Sequence, residues 1–223
     1  MNLSLQSSSI QHPAPIKITG SKSETNRLLL LQALYPNLIL ENTSNSDDSE
    51  VMQKALQNFQ LPTSNFQLVD VHHAGTAMRF LTAFFAIQEG NEVVLTGSSR
   101  MKERPIKILV DALNQLGAEI TYQENEGFPP IKIKGRKITQ NRVSLPANVS
   151  SQYISALLLI APKLENGLEL SLEGEITSVP YIKMTLDLLN QIGVMTTFED
   201  NIIKVTHHPS PITHNPSPIT KYS

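Results

Sequence analysis

Apolar residues recur along this chain in a repeating order of helical and strand-like patterns. Gly75-Thr76-Ala77-Met78-Arg79-Phe80-Leu81-Thr82-Ala83-Phe84-Phe85 opens with small polar residues and continues as an apolar helix pattern. Ser150-Ser151-Gln152-Tyr153-Ile154-Ser155-Ala156-Leu157-Leu158-Leu159 repeats that design 75 positions later. A short strand pattern ending in glycine follows each, Glu92 to Gly97 and Gly167 to Gly174. Pro105 and Pro180 come next, again 75 apart, and open second helices over Ile106 to Leu116 and Ile182 to Ile192. These helices nearly coincide in sequence: Asp111-Ala112-Leu113-Asn114-Gln115-Leu116-Gly117 against Asp187-Leu188-Leu189-Asn190-Gln191-Ile192-Gly193. The glycine stands where a helix C-terminus should be closed. Paired strand patterns end each copy, Glu119 to Gln123 with Ile131 to Lys134, and Met195 to Phe198 with Ile202 to Thr206.

A weaker copy comes first. Ser21-Lys22-Ser23-Glu24-Thr25-Asn26-Arg27 opens the apolar stretch Leu28 to Leu34, and Leu38 to Leu40 reads as a strand. Ser46-Asp47-Asp48 caps a helix through Val51 to Leu56, and Gln67 to Val71 reads as a strand. The pattern predicts an α/β (α+β) fold of three βαβαββ units around a pseudo-threefold axis, with helices central and sheets outside. Residues 1–15 precede the first unit, and the units occupy 16–206. Residues 207–223 hold four prolines and two near-copies of Pro-Ser-Pro-Ile-Thr, which reads as an extended linker.

Composition narrows the function classes. The chain has 223 residues, 40% of them hydrophobic, enough for a sizeable core. A net charge of -2 gives no chain-wide basic field for nucleic acid. The absence of cysteine removes disulfides, thiolate metal sites and a cysteine nucleophile. Met1 to His12 is polar and lacks a signal-peptide core, and apolar runs such as Ala156 to Ala161 are too short to span a bilayer. The expectation is a soluble, cytoplasmic protein.

Candidate chemistry sits at the helix starts. First helices begin at Ser21-Lys22-Ser23, Gly75-Thr76 and Ser150-Ser151, and second helices near Ser46, near Arg100 to Arg104 and near Ser178. A helix N-terminus offers unpaired N–H groups and a positive dipole end, which suits anions. Should the units share an axis, these starts converge, and Lys22, Arg27, Arg79, Arg100 and Arg104 supply fixed cations there. The expected ligand is small and multiply anionic. Plainer readings compete. Ser23, Thr76 and Ser150 serve equally as N-caps, and Met101-Lys102-Glu103-Arg104 as a solvated loop. Gly20-Ser21-Lys22-Ser23 lacks Walker A spacing. Neither His72-His73 nor His207-His208 continues into a metal-ligand pattern, and Asp47-Asp48 reads as a cap rather than an acid/base pair.

Five segments carry a family resemblance: Gly20-Ser21-Lys22-Ser23-x-x-x-Arg27, Ala74-Gly75-Thr76-Ala77-Met78-Arg79, Leu95-Thr96-Gly97-x-x-Arg100-Met101-Lys102-Glu103-Arg104-Pro105-Ile106, Val149-Ser150-Ser151-Gln152 and Ser178-x-Pro180-Tyr181-Ile182. In order and spacing, from about Ile16 to Thr206, they resemble 3-phosphoshikimate 1-carboxyvinyltransferases (EPSP synthases). The related UDP-N-acetylglucosamine enolpyruvyl transferases share the fold, but typically use a cysteine and lack the Arg-Met-Lys-Glu-Arg-Pro run.

The resemblance implies two similar domains of three βαβαββ units closing on a cleft, of which this chain matches one. It also implies transfer of the enolpyruvyl group from phosphoenolpyruvate to the 5-hydroxyl of shikimate 3-phosphate, with no metal and no cofactor. By motif, Lys22, Ser23 and Arg27 bind shikimate 3-phosphate, with Ser23 and Arg27 at its carboxylate. Ser150, Ser151 and Ser178 hold the 3-phosphate, and Gln152 and Tyr181 shape the pocket. Lys22, Gly75, Arg100 and Gln152 face phosphoenolpyruvate, where glyphosate competes in the family. Lys22, Arg100 and Gln152 are the implied catalytic groups, with Thr76, Arg79 and Arg104 in support.

Two residues depart from the family pattern beside the phosphoenolpyruvate-facing loop: His73 replaces a usual Asn, and Phe80 a usual Pro. The motifs of the family's second domain, with its acid/base Asp and Glu, are not in this sequence, and residues 1–15 resemble a stretch belonging to that domain. The expectation is a separated or truncated substrate-binding half, inactive alone. Its partners would be the two substrates and the second domain, without nucleic acid or membrane, and its state monomeric. The alternative is a non-catalytic anion-binding module or a degenerate paralogue.

Overall fold

A computed structural model describes residues 4, 18–59 and 66–209. Most of the expected 1–15 segment and all of the tail beyond Pro209 lie outside them.

The two clear sequence copies fold alike. In the first, β1 (Phe66–Asp70), α3 (Gly75–Ala86), β2 (Glu92–Thr96), α4 (Ser99–Lys102), α5 (Lys107–Gln115), β3 (Glu119–Tyr122) and β4 (Ile131–Lys134) build a sheet of order β1-β2-β4-β3. In the second, β5 (Arg142–Pro146), α6 (Ser151–Ile160), β6 (Leu168–Glu173), α7 (Val179–Gln191), β7 (Thr196–Glu199) and β8 (Ile202–Val205) build the order β5-β6-β8-β7. The opening pair is parallel in each sheet, Leu68 beside Val94 and Ser144 beside Ser171, and the other pairings are antiparallel. A parallel pair needs a crossover connection, and α3 and α6 provide it.

The leading copy is less complete. It contributes α1 (Lys22–Leu34) and α2 (Asp47–Phe59). Leu38 to Leu40 is not a strand; Leu38 turns into the core while Ile39 stays exposed. The strand expected to close this copy is instead β1, which opens the next unit by pairing with β2.

Composition decides which helices lie inside. All twelve residues of α3 are buried, as are eight of the ten in α6, and neither has a polar face to present to water. α1, α3 and α6 touch one another at the centre. α2, α5 and α7, each only partly buried, pack outside them. Among the described residues no helix is long and apolar enough to cross a membrane.

Both glycine stops behave as expected. Gly117 (φ 106°) donates to Asn114 O at 3.0 Å and Ala118 to Leu113 O at 2.9 Å. Gly193 (φ 89°) and Val194 repeat this on Asn190 and Leu189, each at 3.0 Å. Each is a Schellman closure, whose left-handed residue favours glycine.

Packing continues past Thr206. His208 N–H donates to Pro162 O at 2.7 Å, and Tyr35 Oη donates to His208 O at 2.7 Å. The first residues of the stretch read as linker are therefore tied to the body.

Candidate anion-binding site

The helix starts are joined to one another by side chains. Gly20 precedes α1 where only a glycine fits, since a Cβ there would collide with the Asn42 carbonyl. That close approach brings the chain entering α2 against the start of α1, and Ser44 N–H donates to Thr25 Oγ1 at 3.0 Å. Lys22 Nζ lies 3.9 Å from Asp48 Oδ2 in the first turn of α2. His73, just before α3, places Nε2 3.5 Å from Asp47 Oδ2. Gln152 Nε2 donates to Thr76 Oγ1 at 3.1 Å, joining the first turns of α6 and α3. Tyr153 Oη donates to Pro105 O at 2.7 Å, joining α6 to the chain ahead of α5. Arg27 of α1 reaches α6 and α7. Six helix starts thus form one connected set.

The serines divide by role. Ser150 caps α6, its Oγ accepting from Gln152 N–H at 3.3 Å. Ser98 caps α4 in the same way. Ser23 and Thr76 lie inside first turns and are not N-caps, contrary to the plainer reading. Ser21 and Ser178 occupy N-cap positions without a side-chain capping bond. Ser151 and Gln152 begin α6 half-buried, and Tyr181 in the first turn of α7 is exposed.

Four arginines form two layers. Arg100 and Arg104 are exposed and line a cavity of about 590 Å³ with His73 and Met101. Arg104 lies across Gly75, where an added Cβ would stand 2.8 Å from its Cζ. The 101–104 segment is therefore part of this cavity wall rather than a detached solvated loop. Beneath it, Arg79 is 5% exposed. Its Nη1 donates to Gly75 O at 3.0 Å and its Nη2 to Pro105 O at 3.2 Å, with the Tyr153 ring below at 5.9 Å. Arg79 thus braces the Gly75 turn from behind. Burial lowers its pKa, Tyr153 partly offsets this, and Arg104 adds to the lowering.

Arg27 is 2% exposed. Its Nε donates to Thr185 Oγ1 (2.8 Å), Nη1 to Ser23 O (2.6 Å), and Nη2 to Ser155 Oγ (2.8 Å) and Tyr181 O (3.5 Å). Among the described residues none of these acceptors is a carboxylate. Burial pushes its pKa down to about 10. A guanidinium carries five N–H groups, so one on Nη1, the nitrogen beside Ser23, is left over.

Sequence reasoning missed Ser155, Thr185 and Tyr153 as contributors and noticed Phe80 only as a departure. Ser155 carried a signal, being a lone hydroxyl inside an apolar helix run. His72 lies near Asp70 and His73 near Asp47, on different elements. No group of three or more metal-ligating side chains occurs among the described residues.

Fold and site together define a mixed α/β domain whose helix starts are linked to one another by side-chain contacts. The EPSP synthase (3-phosphoshikimate 1-carboxyvinyltransferase) family profile matches residues 10–216, and the chain belongs to that family. A 3-phosphoshikimate 1-carboxyvinyltransferase of Bacteroides fragilis is 47% identical over 207 residues, covering 92% of this chain and 49% of the relative. One from Colwellia psychrerythraea is 40% identical over 209 residues, covering 83% and 48%. The chain therefore spans about half the length of the curated relatives it matches. An EPSP synthase structure from Acinetobacter baumannii superposes with a TM-score of 0.70 at 19% identity, over 88% of this chain and 47% of that one, and shares the fold.

Proposed function

We propose that this chain binds shikimate 3-phosphate and one face of phosphoenolpyruvate, as the substrate-binding half of an enolpyruvyl transfer reaction. The supporting observation is the connected set of helix starts, which carries serine hydroxyls together with lysine and arginine side chains. The 3-phosphate sits at the starts of α6 and α7, on Ser150, Ser151 and Ser178. Helix dipoles and N–H groups stabilise its charge there. The carboxylate sits at the start of α1 on Ser23 and the spare N–H of Arg27. Gln152 and exposed Tyr181 flank the ring. Lys22, Gly75 and Arg100 face phosphoenolpyruvate beside the cavity that Arg100 and Arg104 line. Thr76, Arg79 and Arg104 hold that wall in place.

The 5-hydroxyl oxygen then bonds to C2 of phosphoenolpyruvate and gives up its proton to a base, while an acid adds a proton to C3. The tetrahedral intermediate loses a proton from C3 and expels phosphate by C–O cleavage. Lys22, Arg100 and Gln152 stabilise the oxyanions and the leaving phosphate. Proton transfer falls to the acid/base carboxylates that the family resemblance puts in a second domain, so this chain alone binds without turnover.

Calorimetry tests the binding. Shikimate 3-phosphate should bind the chain, and shikimate at least tenfold more weakly, about the loss expected for one charged contact. Equal affinity for both, or no binding of either, contradicts the reading. Turnover should appear once a relative's second domain is supplied as a separate chain. Persistent inactivity with association demonstrated would favour a non-catalytic anion-binding module.

A further inference from the structure

Behind the basin lies a polar cluster to which the proposed reaction assigns no role. Ser155 on α6 and Thr185 on α7 are both fully buried. Their hydroxyl oxygens stand 2.9 Å apart. Each accepts from the Arg27 guanidinium at 2.8 Å, Thr185 from Nε and Ser155 from Nη2. Thr185 also reaches Tyr181 O, in the first turn of α7, at 2.9 Å. The Phe80 ring from α3 lies 5.5 Å from the guanidinium carbon. One guanidinium is thus held by three helices other than its own.

The cluster is costly for a fold to keep. Buried hydroxyls and a buried cation are each unfavourable unless satisfied, and a well-packed apolar group is often as stable or more so. The cluster does fix the orientation of the guanidinium plane. With Nε and Nη2 held from behind, Nη1 is directed at Ser23, and its remaining N–H is the one left for a ligand.

We propose that Ser155 and Thr185 are positioning residues that orient Arg27 toward the carboxylate of the bound ligand. This rests on the binding reading above. Through Thr185 and the Tyr181 carbonyl, the same contacts join the carboxylate end of the basin to the first turn of α7, where the phosphate is read to sit. The two hydroxyls thereby fix the spacing between the ligand's two anionic groups.

The test compares shikimate 3-phosphate with its carboxylate methyl ester on the full 223-residue chain. Thr185→Val should bind the acid at least tenfold more weakly than wild type, about the loss of one hydrogen bond to a charged group. Its affinity for the ester should stay within about twofold of wild type, since the ester offers Arg27 no charge. Thr185→Ser should restore acid binding, and Ser155→Ala should reproduce the acid-selective loss should Thr185→Val not fold. Unchanged acid binding overturns the proposal. So does equal loss for acid and ester, which would mark a merely structural hydroxyl. Should the wild-type chain bind neither ligand, the reading of the basin falls, and this inference with it.

Discussion

Among the described residues, no hydrogen-bond partner of Arg27 carries a negative charge. Its acceptors are two carbonyls and two hydroxyls, and burial lowers its pKa to about 10. Holding the Arg27 charge costs on the order of 3 kcal/mol. Arg27→Met should therefore weaken shikimate 3-phosphate binding at least tenfold, yet leave the melting temperature equal to or above that of wild type. Calorimetric binding and thermal unfolding check both halves. The sign of the pH effect follows. A cation with a depressed folded-state pKa costs stability below that pKa, and the cost fades as pH rises through it. Wild-type Tm minus Arg27→Met Tm should rise between about pH 8 and about pH 11. Arg79 is bound differently, spanning Gly75 O and Pro105 O on two chain segments. Arg79→Lys keeps the charge but loses the fork. It should lower Tm by several degrees, about the effect of 1–2 kcal/mol in a domain of this size, as thermal unfolding would show. At this scale the cations and serines were legible, because helix starts advertise themselves by composition. Their orientation was not. Nothing in the sequence showed that Arg27 turns inward to Ser155 and Thr185, since that depends on which helices touch.

The helices and their stops followed the apolar pattern closely. α5 and α7 end on matched glycines because the left-handed turn is needed in both. Gly117→Ala and Gly193→Ala should each cost about 1 kcal/mol in denaturant unfolding, and by similar amounts, since nothing but backbone strain distinguishes the variants from wild type. Gly20→Ala should cost more, about 1–3 kcal/mol, because the added Cβ meets the Asn42 backbone rather than a movable side chain. Strands were harder. β5 is five residues with alternating burial and a terminal proline, too short for its period-two pattern to stand out. Gln67 to Val71 reads as a strand either way, and only its parallel register with β2 shows which unit it serves. Leu38 to Leu40 is apolar because Leu38 enters the core, not because the segment joins a described sheet.

At the scale of the whole molecule, two units of one topology surround a central helix cluster, and a third contributes its helices. The internal repeat makes this architecture visible in the sequence, because equal spacing of Pro, Gly and hydroxyl residues is hard to satisfy without equal folds. Stacking the units links their helix starts, as Gln152 to Thr76 and Lys22 to Asp48 show, and the proposed function needs those starts to act on one ligand. The most direct test is a nuclear magnetic resonance titration of the chain with shikimate 3-phosphate. Amide shifts at Ser23, Ser151 and Ser178 together, from three different helices, are the expected result. Shifts confined to the strands, or to one helix start alone, would contradict a shared basin.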